Sequence, residues 1–175
     1  GNTANAGTQG AWQYSTNAGS NWFAIGSVTD GATALALSSA TLVRFLPVAN
    51  YNGSPPALTV RGLDDTYVAG FSTTAGSETR VTVNTTTNGG TTAIAAATAT
   101  LSTSITAVND APTLGNGTLA AVNEDTASPA GQALTTVFSG QFADIDAGSS
   151  FGGIAVVGNT ANAGTQGAWQ YSTNA

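Results

Sequence analysis

Apolar and polar positions alternate with a period of two over several short stretches, and turn-forming Gly, Asn, Asp and Pro separate them. Trp12, Gln13 and Tyr14, then the turn formers Asn17, Ala18 and Gly19, then Trp22, Phe23, Ala24 and Ile25 predict a hairpin. Residues 42–48 predict the next strand, limited by Pro47, which has no N–H to give to a ladder. A loop follows in which Asn50, Asn52, Gly53, Pro55 and Pro56 supply the turn chemistry. Residues 58–61 and 80–83 alternate strictly. The longest expected strand covers residues 92–108, with Leu101, Thr103 and Ile105 on one face and Ser102, Ser104 and Thr106 on the other. Its alanines also suit a helix, but the Thr/Ser alternation favours a strand. Shorter pieces are expected at 119–122, 133–138 and 154–157. No stretch sustains a 3.6-residue period, so the pattern predicts an all-β sandwich.

The sequence also repeats itself. Residues 1–18 and 158–175 are both GNTANAGTQGAWQYSTNA, so the chain restarts at residue 158 with a period of 157. Recurrence at a fixed period is the mark of units stacked end to end. Verbatim copies favour a role in length or mechanics, because a catalytic unit has little use for an identical duplicate. The best boundary is the segment 107–113, where a strand ends at Val108, Asn109 and Asp110 and Pro112 stiffens the exit. On that boundary, residues 1–112 are the larger, C-terminal part of one module and residues 113–175 are the opening strands of the next.

Composition removes most catalytic chemistry. The chain has no cysteine, methionine or histidine, and its three basic residues are Arg44, Arg61 and Arg80, so lysine is absent too. There is no thiolate nucleophile or zinc–sulfur site, no imidazole base, and no lysine for a Schiff base, an isopeptide cross-link or a phosphate-binding loop. Three positive charges against nine negative argue against nucleic acid as a partner. No apolar run approaches the roughly 18 residues of a membrane span, so direct membrane insertion is not expected.

Residues 1–18 are uncharged, so the formal charge of −6 belongs to one period, and about three divalent cations would cancel it. The acids form four small clusters: Asp64 with Asp65, Asp110 beside Asn109, Glu124 with Asp125, and Asp144 with Asp146. Asp30 and Glu78 stand alone. Carboxylates in loops are the usual ligands of Ca²⁺, which takes six to eight oxygens, and an Asp-x-Asp pair projects two carboxylates from one turn. A lone acid is better read as a turn or loop decoration. Four clusters among so few acids are poorly explained that way.

Three passages now read together. They are Arg44, Phe45, Leu46, Pro47 with Asn50, Tyr51, Asn52, Gly53; Leu58, Thr59, Val60 with Asp64; and Ser104, Ile105, Thr106 with Val108, Asn109, Asp110, Ala111, Pro112. This combination resembles the tandem cadherin-like, Ig-like extender repeats of giant bacterial surface adhesins of the RTX type. Asn123, Glu124, Asp125, Thr126 and the Asp144–Asp146 motif look like the family's early acidic motifs, and the segment from Gly10 to Trp22 like a hairpin of its longer variants. The resemblance implies a Greek-key β-sandwich, an extracellular or bacterial cell-surface location, and Ca²⁺ bound between modules. Carried over, Asp64 and Asp65 come from the end of one module, Asn109 and Asp110 from the linker, Asp144 and Asp146 from the next, and Glu124 and Asp125 from this junction or the following one. The single linker acid, Asp110, departs from cadherins proper and leaves the number of ions per junction open.

Two other classes of function compete. Trp12, Tyr14 and Trp22, with Phe23, could present a surface on which glycans stack, although such aromatics more often fill a core. A glycoside hydrolase needs two carboxylates about 5–10 Å apart, which Asp144 and Asp146 could meet, but nothing else in the chain supports an enzyme. The expected partners are therefore neighbouring copies of the same repeat, associated head to tail, with any glycan or cell-surface partner met through other domains. Residues 113–175 of one copy are expected to complete residues 1–112 of a neighbour.

Overall fold

Strand β1 (Gly10–Ser15) buries its alternate residues Gly10, Trp12 and Tyr14, and Ser15 with them. Two strands pair with its edges. Strand β2 (Phe23–Ala24) pairs with it antiparallel, Gln13 opposite Ala24 and Tyr14 opposite Phe23, through a turn in which Ala18 and Gly19 adopt left-handed φ of 55° and 86°. On its other side β4 (Leu42–Pro47) pairs over the whole length of β1, from Gly10 opposite Pro47 to Ser15 opposite Leu42. The strand stops where Pro47 stands. This β2-β1-β4 sheet is the largest among the described residues. The expected hairpin and the strand at 42–48 are thus present.

The computed structural model describes residues 1–173; positions 174 and 175, the end of the second copy and of the segment 113–175, lie outside the described residues. Among the described residues the chain is all-β apart from one helical turn. Three further two-stranded antiparallel ladders accompany the main sheet. They are β3 (Ala34–Leu35) with β6 (Thr82–Val83), β5 (Leu58–Val60) with β7 (Ala99–Leu101), and β8 (Thr113–Leu114) with β9 (Phe142–Ala143). The chain divides into two compact units, Gly1–Val108 and Asn109–Ala175, a division that falls inside the segment 107–113. No helix among the described residues is long and apolar enough to cross a membrane.

The first unit has a core of Trp12, Tyr14, Ile25 and Leu58, against which Phe23, Val28, Leu35, Leu37, Val43 and Phe45 pack. Trp12 meets Phe45 edge to face at a centroid distance of 5.4 Å, a favoured geometry for two quadrupoles. Its indole N–H donates to the Pro56 carbonyl at 2.9 Å, so the buried ring leaves no donor unsatisfied. Buried polar side chains tie the hairpin turn down: the Thr16 and Thr74 amides each donate to the other residue's hydroxyl at 2.8 Å.

Four expected strand pieces need correction here. The strand at 92–108 is not continuous; only Ala99–Leu101 forms a ladder, flanked by single bridges from Ile94 to Leu63 and from Ile105 to Gly53. Its alanines and threonines offer little side-chain area to hold a long strand on a neighbour. The piece at 133–138 is not a strand but contains the helical turn α1 (Leu134–Val137), closed by the Phe138 amide on the Leu134 carbonyl at 2.9 Å. Phe138, Phe142 and Phe151 form the second unit's aromatic group, with centroids 5.7 and 5.9 Å apart. The pieces at 119–122 and 154–157 carry no strand. No described residue of the second unit is fully buried.

Candidate functional site

Of the nine acids, the two that stand alone in sequence turn out to be neutralised structurally. Arg61 grips Asp30 with two parallel bonds, Nε to Oδ1 at 2.8 Å and Nη2 to Oδ2 at 2.7 Å, and the Thr85 hydroxyl donates to Oδ1 at 2.6 Å. The Arg61 guanidinium and then Thr85 hold the Asp30 carboxyl well below the usual carboxylate range, and Asp30 in turn raises Arg61. Glu78 accepts the Tyr14 hydroxyl at 2.6 Å and Arg80 Nη1 at 3.2 Å. Neither arrangement was read from sequence. Glu78 and Arg80, two apart on an extended stretch, share a face and carried a local signal; Asp30 and Arg61 lie 31 residues apart and carried none.

The remaining seven acids are those of the four clusters. In the second unit the structure brings three of them into one hydrogen-bonded chain. The Asp110 amide donates to Asp146 Oδ2 at 2.8 Å, and the Asp146 amide donates to Asp144 Oδ1 at 2.9 Å. Asn109 folds its side-chain amide onto the Asp110 carbonyl at 2.9 Å. The Asp-x-Asp turn is thereby anchored to the first residues of the unit, and all three acids are half-buried. Glu124 and Asp125 lie in an exposed turn, where Asp125 takes a left-handed φ of 61° and Thr126 bonds the Asn123 carbonyl at 2.8 Å.

In the first unit Asp64 caps its own turn, accepting the Thr66 amide at 2.9 Å and the Thr66 hydroxyl at 2.6 Å. The hydroxyl and then the amide lower its carboxyl. Asp64 and Asp65 line a cleft of about 630 Å³ together with Leu35, Leu58, Val83 and Tyr67. Among the described residues, no three acids converge tightly enough to hold a metal ion by themselves. Asp110, Asp144 and Asp146 fit Ca²⁺ in donor chemistry, but they fall short of its six to eight oxygens. A bound ion would draw further donors from outside this group.

The candidate glycan surface is corrected. Trp12 is 3% exposed and Tyr14 fully buried, so neither ring offers a face to a sugar. Trp22 is half-buried, and the Arg44 guanidinium covers it 3.9 Å from the ring centroid while its Nε donates to Gln13 at 2.8 Å. The exposed aromatic faces belong instead to the second copy of the repeated segment, at Trp169 and Tyr171. No family model matches the chain, and no curated protein or solved structure is similar enough to count as a match.

Proposed function

We propose that this chain is an extender repeat of a giant secreted or cell-surface adhesin, a non-catalytic spacer built of Greek-key, cadherin-like β-sandwich modules. The observation that carries the reading is the verbatim return of eighteen residues after a period of 157. Such an array holds a distal binding domain away from the cell, and its function is reach and stiffness rather than chemistry.

Calcium supplies the stiffness in this reading. Asn109 and Asp110 contribute from the linker, Asp144 and Asp146 from the following module, Asp64 and Asp65 from the end of the preceding one, with Glu124 and Asp125 at this or the following junction. The Asp110–Asp146–Asp144 hydrogen-bond chain supports it, since it sets the linker acid beside the Asp-x-Asp turn before any ion arrives. Unscreened acids at a junction repel one another, and a divalent ion converts that repulsion into cross-linking. Small-angle scattering of a chain of several repeats is expected to show an extended, stiff particle in Ca²⁺ and a looser one in chelator. Replacing Asp144→Asn and Asp146→Asn together is expected to abolish the difference. Identical dimensions with and without chelator would overturn the calcium reading.

A further inference from the structure

Strand β5 pairs with β7 along one edge. On its other edge Gly1 and Thr59 exchange both backbone bonds. Gly1 N donates to the Thr59 carbonyl at 2.9 Å and the Thr59 amide to the Gly1 carbonyl at 3.0 Å, which is the hydrogen-bonded pair of an antiparallel ladder. Two residues on, the Arg61 amide points the same way as that of Thr59, and it donates to no backbone carbonyl among the described residues. The ladder has one rung here and a donor in place for the next.

The same edge borders the cleft of about 630 Å³, whose walls include Gly1, Val60 and Arg61 as well as Leu35, Leu58 and Val83. Leu58 and Val60, two apart on a strand, share a face, and both line the cleft. Tyr67 lines it too, and its hydroxyl is buried without a hydrogen-bond partner. Buried hydroxyls in folded chains nearly always have one. An apolar wall, an unpaired strand edge and an orphaned hydroxyl therefore meet in one place.

The period names a segment that suits all three. The second copy of the eighteen residues follows directly on Ile154, Ala155, Val156 and Val157, so in the array the residues ahead of Gly1 are their counterparts. In the register set by Gly1 opposite Thr59, the counterpart of Val157 falls opposite Val60 and that of Val156 opposite Arg61. The run is uncharged, apolar and mostly β-branched, which favours both a ladder and an apolar wall. We propose that in the array the counterparts of residues 154–157 form a strand on the free edge of β5 and fill this cleft, so that each module's core is closed by the apolar residues that lead into its hairpin. The gain is the burial of those side chains together with Val60, and the carbonyls of the new strand supply acceptors beside the Tyr67 hydroxyl. The inference rests on the repeat reading and does not involve calcium.

A chain that carries a copy of residues 151–157 (FGGIAVV) ahead of Gly1 tests this against the 175-residue chain, both in chelator. Hydrogen exchange read at single amides is expected to slow at Arg61 by at least about tenfold on extension, because that amide then donates to the counterpart of Val156. A control extension of equal length, Ser-Gly-Gly-Ser-Ala-Ser-Ser, can reach the same edge but has nothing to bury in the cleft, and it should leave the Arg61 amide fast. Val60→Asp in the extended chain should restore the fast rate by setting a carboxylate in the apolar wall. If that variant fails to fold, the control extension decides alone. An Arg61 amide that exchanges equally fast with and without the added FGGIAVV, or that the control slows as much, overturns the proposal and leaves the cleft to an outside occupant. The outcomes stay separate from those of the scattering experiment. Slow exchange with no calcium effect on the array leaves the added strand standing without the calcium reading, and fast exchange with a calcium effect removes the strand and leaves the calcium-stiffened spacer.

Discussion

Trp12→Ala is expected to cost about 3–5 kcal/mol of unfolding free energy, and Trp169→Ala, the same substitution in the same eighteen-residue sequence, less than about 0.5 kcal/mol in dilute solution. Trp12 is buried among Ile25, Leu58 and Phe45 and donates to the Pro56 carbonyl. Truncating it removes the largest ring of the core, opens a cavity under the main sheet and leaves the carbonyl without its partner. Trp169 has most of its surface in water already, so its loss gives up little. Urea unfolding followed by far-ultraviolet circular dichroism measures both without depending on indole emission. Equal costs at the two positions would show that the second copy is as well packed as the first.

That pair of residues also marks how far the sequence could be read. The hairpin, β4 and β5 were legible because each rests on signals inside a few residues: alternation, a Gly-containing turn, a proline stop. The strand at 92–108 was not. Its alternation is real, but strand formation needs partners with area to bury, and only Ala99–Leu101 finds one in β5. The helical turn at Leu134–Val137 arises from a Thr/Val-rich segment whose propensity favours a strand, so the residue pattern misleads there. Asp30 looked solitary because its partner Arg61 is reached only through the fold. The candidate site shows the same division: the Asp144–Asp146 turn is visible within a few letters, while the Asp110 amide that anchors it is 36 residues away. Two identical segments with opposite burial make the general point, since nothing local can distinguish Trp12 from Trp169.

The Tyr14–Glu78 pair makes the stability of the first unit depend on alkaline pH. Burial pushes the Tyr14 hydroxyl up from 10.0 to about 12, and the Glu78 carboxylate that accepts its proton adds to the shift, because an ionised Tyr14 would face another negative charge at 2.6 Å. The folded-state value is the higher one, so the folded chain holds this proton more tightly than the unfolded chain does. The corresponding stability is fully present below pH 10.0 and is lost as pH rises from there toward about 12. The loss attributable to this one group is expected to reach about 2 kcal/mol. Tyr14→Phe keeps the ring in the core and removes the proton, while Arg80 remains to pair Glu78. It should cost about 1–2 kcal/mol at neutral pH through the lost hydrogen bond, and between about pH 10 and 12 its stability should fall less steeply than that of wild type. Urea midpoints measured from neutral to alkaline pH for the two proteins give both slopes directly. Parallel slopes would assign the alkaline loss to other groups and would mean that the Tyr14 hydroxyl, though buried, ionises as easily in the folded chain as in the unfolded one.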